Sequence, residues 1–95
     1  MLFAVRMQVK LPHDLHPDVR ADLLAREKAY CQELQRAGKW PQIWRLAGQY
    51  ANLSILDVAD ADELNDIMFG LPLFPFMTVE VMPLARHFSD IKPRG

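Results

Sequence analysis

The first regular feature along the chain is a strict alternation. Phe3, Val5, Met7, Val9 and Leu11 fall on one side, and Ala4, Arg6, Gln8 and Lys10 on the other. A period of two predicts a half-buried β-strand, which Pro12 ends. The period then lengthens. Between Pro17 and Gly38, Val19, Leu23, Tyr30 and Leu34 recur at helical spacing, with Leu24 and Cys31 widening the stripe. Pro17 suits a first helical position, where its missing N–H is not needed, and Gly38 suits a left-handed stop. His13 to His16 form the loop between the two elements.

Beyond the connection Lys39-Trp40-Pro41, Gln42 to Ala47 reads as a second strand. Gly48 breaks it, and Tyr50 to Val58 reads as a third, so the pair should form a hairpin. Asp60 opens a second helix, with Glu63 three residues on completing a capping box. Leu64, Ile67, Met68 and Leu71 form its buried stripe, and Gly70 with Pro72 stops it. Leu71 to Pro75 is a proline-punctuated turn, unusually apolar for a loop. Phe76 to about Pro83 is a fourth strand, Met77, Val79 and Val81 alternating with Thr78 and Glu80. From Leu84 onward the chain becomes polar and irregular.

The order β-α-β-β-α-β predicts an α+β fold of the ferredoxin-like kind. Its four-stranded antiparallel sheet carries both helices on one face, within a single domain over residues 1–95. The Phe3/Val5/Met7 face should receive the helices. The opposite face is left bare, which predicts association through the sheet or its edges, with residues 84–95 as an arm lying across a neighbouring subunit.

Composition narrows the function classes. A chain of 95 residues suffices for one domain, and 51% hydrophobic residues argue for a folded one. Eleven basic and twelve acidic residues give a net charge of −1 with no run of one sign, so the basic footprint of a nucleic-acid binder is missing. The lone Cys31 excludes an internal disulfide and a cysteine-rich zinc site. No apolar run approaches the roughly 20 residues of a membrane span. The N-terminus enters a strand pattern at once, so no signal peptide and a cytoplasmic setting are expected.

Two places hold candidate chemistry. At about 100° per residue Glu27 falls near the middle of the first helix's apolar stripe. A carboxylate in a small apolar pocket has a raised pKa and can take and give a proton near neutrality. The alternative is a boundary residue paired with a nearby Arg or Lys. The hairpin supplies the second place. Tyr50, Asn52 and Ser54 have period two and would line one face of the third strand, able to orient a small polar substrate or polarise a carbonyl. The other face of that strand is apolar as well, so the pattern leaves open which one meets the helices. Arg45 offers a fork for a substrate carboxylate, or a partner for Asp57 or Glu27. Trp40 and Trp44 are packing anchors on pattern alone. The spacing of His13, His16 and His87 fits no metal motif, and no phosphate loop or nucleophile motif is present.

Glu27-Lys28, Trp40, Ile43-Trp44-Arg45, Gly48 to Asn52 (GQYAN), Asp57-Val58 and Leu71-Pro72-Leu73-Phe74-Pro75 are the most specific parts of a resemblance that runs from Met1 to His87. Over that span the chain resembles the muconolactone isomerase family of aromatic-compound catabolism. The resemblance implies a ferredoxin-like fold, assembly into homodecamers, and no metal or organic cofactor. It implies conversion of muconolactone to 3-oxoadipate enol-lactone by moving a double bond in a lactone ring. The matched Glu27 would be the catalytic base; Tyr50 and Asn52 would stabilise charge on the lactone oxygen; Arg45 would hold the substrate carboxylate; Trp40 and Ser54 complete the expected substrate site. Gln49 replaces a histidine of some members and Phe76 a common tyrosine, which would retune substrate choice. A 5-chloromuconolactone dehalogenase on the same scaffold, and a non-catalytic ligand-binding module, are the alternatives.

Overall fold

The computed structural model describes residues 1–92. They form β1 (Leu2–Val9), α1 (Pro17–Arg36), β2 (Gln42–Arg45), β3 (Ala51–Asp57), α2 (Ala61–Gly70), one 3-10 turn (Phe74–Phe76) and β4 (Met77–Leu84). The strands make one antiparallel sheet in the order β2-β3-β1-β4. This is the expected ferredoxin-like arrangement.

Register decides what each face carries. Val5 lies opposite Ser54 on one side and Val81 on the other, while Ile43 lies opposite Ser54. Because side chains alternate, Phe3, Val5, Met7, Asn52, Ser54 and Leu56 therefore share a face. That face is covered: Val5, Met7 and Leu56 are fully buried and pack with Cys31 of α1 and Leu64, Ile67 and Met68 of α2. The other face is bare. Trp44, Met82 and Leu84 are exposed there, and Leu53 and Ile55 are only half-buried.

Local chemistry sets the ends of the helices. His16 Nδ1 accepts the Asp18 N–H at 3.1 Å, Pro17 occupies the first position of α1, and Gly38 turns the chain away at φ +78°. In α2, Asp60 Oδ1 accepts the Glu63 N–H at 2.9 Å; Glu63 Oε1 reaches one residue beyond the usual capping box, to the Ala59 N–H. The buried stripe of α1 is narrower than its pattern predicts. Leu23 and Cys31 are buried and Tyr30 and Leu34 half-buried, but Val19 and Leu24 are exposed.

The hairpin is shorter than predicted, with β2 ending at Arg45 and β3 beginning at Ala51. Leu46 donates to the Ala51 carbonyl and Gln49 to that of Leu46, closing a tight loop that Gly48 permits at φ +79°. Tyr50 consequently precedes the strand and does not share its alternation. Similarly, β4 starts at Met77 because Phe74 to Phe76 coil into the 3-10 turn, and it runs on through Leu84 where an irregular chain was predicted. The last three residues of the predicted arm, 93–95, lie outside the described residues.

Candidate active site

Where α1 crosses the β2–β3 end of the sheet, the two layers do not close on each other. A cavity of about 720 Å³ remains there, walled by α1, by Val9 at the end of β1 with Lys10 and Leu11 beyond it, by the hairpin and by the turn that follows α2. Leu24 faces into it, which accounts for an apolar side chain on α1 that the core does not bury. Leu73, Met77, Ile43 and Cys31 supply further apolar wall.

Glu27 is the only carboxyl group lining this space among the described residues. It is half-buried, and burial pushes its pKa above 4.5 despite one compensating hydrogen bond. That bond comes from the backbone: the Leu73 N–H donates to Glu27 Oε1 at 3.1 Å. Glu27 makes no ion pair among the described residues, so the Arg or Lys pairing of the boundary-residue alternative is not formed. One carboxylate oxygen is thus anchored. The other has no hydrogen-bond partner among the described residues, and the side chain lines the cavity.

Residues Tyr50, Asn52 and Arg45 line the same cavity. Asn52 stands on the helix-facing side of β3, and its Oδ1 accepts the Ser54 hydroxyl at 2.7 Å, leaving its amide N–H₂ as the free end. Ser54 is wholly buried and does not reach the cavity; it acts on Asn52 from below. Tyr50 is largely exposed at the cavity mouth, with the Arg45 guanidinium 5.9 Å from its ring centroid. Arg45 also donates to the Gln49 carbonyl at 3.2 Å and pairs with neither Asp57 nor Glu27. Trp40 is 1% exposed and belongs to the core beneath, outside the cavity lining.

Two features were not visible in the sequence. The Leu73 amide is a backbone group delivered by a distant turn, and no side-chain pattern announces it. The cavity rim also carries Lys10, Arg20 and Lys28, none with an ion-pair partner among the described residues. With Arg45 they surround a single carboxylate with four cations, a field that draws anions. The signal available was the basic residues at positions 20 and 28, two helical turns apart on one side of α1. Among the described residues no group of His, Cys, Asp and Glu is placed to hold a metal ion, and no helix is long and apolar enough to cross a membrane.

The chain is similar to known proteins over nearly its whole length. It is 62% identical to a muconolactone Δ-isomerase of Rhodococcus opacus, covering 96% of this chain and 98% of that protein. It is 56% identical to muconolactone Δ-isomerase 1 of Acinetobacter lwoffii, covering 97% and 96%. A crystal structure of muconolactone isomerase superposes with a TM-score of 0.95 at 49% identity, covering 99% of this chain and 98% of that one. The family model for muconolactone delta-isomerase matches residues 1–90. With Glu27, Tyr50 and Asn52 gathered at one cavity of the fold that this family adopts, the chain belongs to the muconolactone delta-isomerase family.

Proposed function

We propose that the protein is an isomerase converting muconolactone to 3-oxoadipate enol-lactone, with Glu27 carrying the proton. The observation that supports this most is a half-buried carboxylate that lines the cavity and has one oxygen held by the Leu73 amide. In muconolactone the ring carbon bearing the carboxymethyl arm loses its proton to Glu27. The electron pair moves through the conjugated double bond to the lactone carbonyl oxygen. Glu27, now a carboxylic acid, returns the proton to the carbon beside that carbonyl, and the double bond comes to rest one position along the ring. No atom is gained or lost.

The environment suits both halves of that cycle. Burial raises the basicity of Glu27, so it takes a carbon-bound proton more readily than an ordinary carboxylate. The charge on the lactone oxygen needs donors, which the Asn52 amide and the Tyr50 hydroxyl supply. The substrate carboxylate is held by cations of the rim, Arg45 together with Arg20 and Lys28. Ser54 and Trp40 serve the site indirectly, Ser54 by fixing Asn52 and Trp40 by filling the core.

The protein works as a homo-oligomer, a decamer as in the resemblance above, in the cytoplasm. Support comes from the bare sheet face with Trp44, Met82 and Leu84, and from Phe88 and Ile91, which stand more than nine-tenths exposed on the C-terminal arm. The deciding assay follows muconolactone by absorbance with purified protein and added chelator, alongside 5-chloromuconolactone with chloride release as readout. Isomerisation without chelator sensitivity supports the proposal; no turnover of muconolactone refutes it. A monomer by light scattering at micromolar concentration refutes the assembly.

A further inference from the structure

Tyr30 is one turn after Glu27 on the same face of α1, yet it does not line the cavity. Its hydroxyl goes elsewhere. It donates to the Ile67 carbonyl at 2.7 Å, in the last turn of α2. A helix leaves its final carbonyls without intrahelical partners, and here the Leu71 N–H turns back to Met68 instead of Ile67. Tyr30 therefore satisfies a carbonyl that α2 abandons when it stops.

The fit around this bond is close. A Cβ on Gly70 would come within 2.4 Å of the Tyr30 hydroxyl oxygen and 3.1 Å of its ring carbon Cζ, so only glycine lets the phenol lie against the helix end. Three residues farther on, after Pro72, the Leu73 N–H meets Glu27. α1 thus holds the end of α2 and the following turn at two points, giving a hydrogen bond from Tyr30 and accepting one at Glu27.

We infer that Tyr30, seated against Gly70, is a positioning residue that sets the turn delivering the Leu73 amide to Glu27, and so fixes the orientation of the carboxylate. This rests on the proposed role of Glu27 for its kinetic consequence, but the structural linkage stands apart from it. The Leu73 bond lowers the pKa of Glu27 against the larger effect of burial. Loosening the turn should therefore raise that pKa further. The titratable groups that line the cavity with Glu27 are Cys31, Arg20 and Lys28 on α1, Lys10 after β1, Arg45 on β2 and Tyr50 before β3; none is altered by the substitutions used below. Tyr30 itself lies near enough to feel the Glu27 charge, and Gly70→Ala, which keeps the phenol, separates that influence from the set of the turn.

The test uses Tyr30→Phe, which removes the hydroxyl and keeps the ring, and Gly70→Ala, which forces the phenol away. Amide hydrogen exchange at Leu73 is read in each full-length variant, with the pH dependence of kcat/KM on muconolactone. Both variants should exchange Leu73 roughly tenfold faster. Both should lower kcat roughly tenfold and shift the acid limb of the profile upward. Gly70→Ala should cost less in the Tyr30→Phe background than alone, because the closest clash, with the hydroxyl, is gone. Lower activity with Leu73 exchange and the pH limb unchanged would mean an ordinary packing role and overturns the inference, as does wild-type behaviour throughout. Failure of the Glu27 assignment shows separately, as turnover by Glu27→Gln, while Leu73 exchange still reports on the Tyr30 linkage.

Discussion

Replacing Glu27 by Gln isolates the proton-carrying role from the packing role. The side chains are nearly the same shape, and the Gln carbonyl oxygen can still accept the Leu73 N–H that now lies 3.1 Å from Oε1. Only basicity is lost. Positioned general acid–base catalysis is worth about 10²- to 10⁴-fold, or about 3–5 kcal/mol of barrier. The upper end applies because one carboxylate serves both proton transfers and the cavity offers no substitute. Burial pushes the neighbouring Cys31 thiol up to about 12, and the remaining ionisable groups at the rim are cations and the Tyr50 phenol. Stability should move the other way. Because the folded state holds the Glu27 proton more tightly than the unfolded chain does, wild-type stability falls as pH rises from 4.5 through the raised folded value. Gln has no such titration, so the variant should be the more stable protein at neutral pH. Initial rates on muconolactone and urea denaturation at several pH values measure both effects. An E27Q protein within tenfold of wild-type kcat, or less stable than wild type at neutral pH with its fold intact, refutes the reasoning.

Other substitutions probe the surroundings. Ser54→Ala releases Asn52 Oδ1 and leaves a partly buried acceptor without its 2.7 Å partner; we expect a loss of about 1 kcal/mol in denaturant melts and a lower kcat with KM little changed. Native Cys31 should resist iodoacetamide at pH 8, since its thiol is both buried and pushed up to about 12, and should alkylate only after denaturation, as mass spectrometry would reveal. Lys39 donates to Glu63 and holds that carboxyl below 4.5, so stability from this pair is present above 4.5 and lost as pH falls through the lowered value. Lys39→Met should flatten that acid-side loss in a pH series of thermal melts.

The elements with a clean period were legible from the residues. β1 and the two helices form where alternation, Pro17, Gly38, Asp60 and Gly70 signal them, because those signals are local, but β1 runs from Leu2 to Val9 and stops two residues short of the Leu11 that the alternation predicts. Glu27 was legible too, as a charge on an apolar stripe. The hairpin was harder. Both faces of Leu53 to Leu56 are apolar, and only the pairing of Val5 with Ser54 decides that Asn52 and Ser54 turn toward the helices. Tyr50 looked like part of that row until Gly48 and its loop set it outside the strand. Trp40 and Ser54 carry polar atoms that sequence alone could assign to a site, yet both are wholly buried beside it. The grip of Tyr30 and Glu27 on residues 67–73 depends on contacts between segments about 40 positions apart, and nothing local encodes it.

The pH dependence of kcat/KM on muconolactone tests the whole account most directly, because it reports ionisation of the free enzyme. Turnover must require the ionised form of a carboxyl group sheltered by the cavity wall. The rate should therefore rise with pH along a single ionisation whose midpoint lies above 4.5, the ordinary value for Glu. A rate already at its plateau below 4.5 would contradict it, since the working base would then be an unsheltered group.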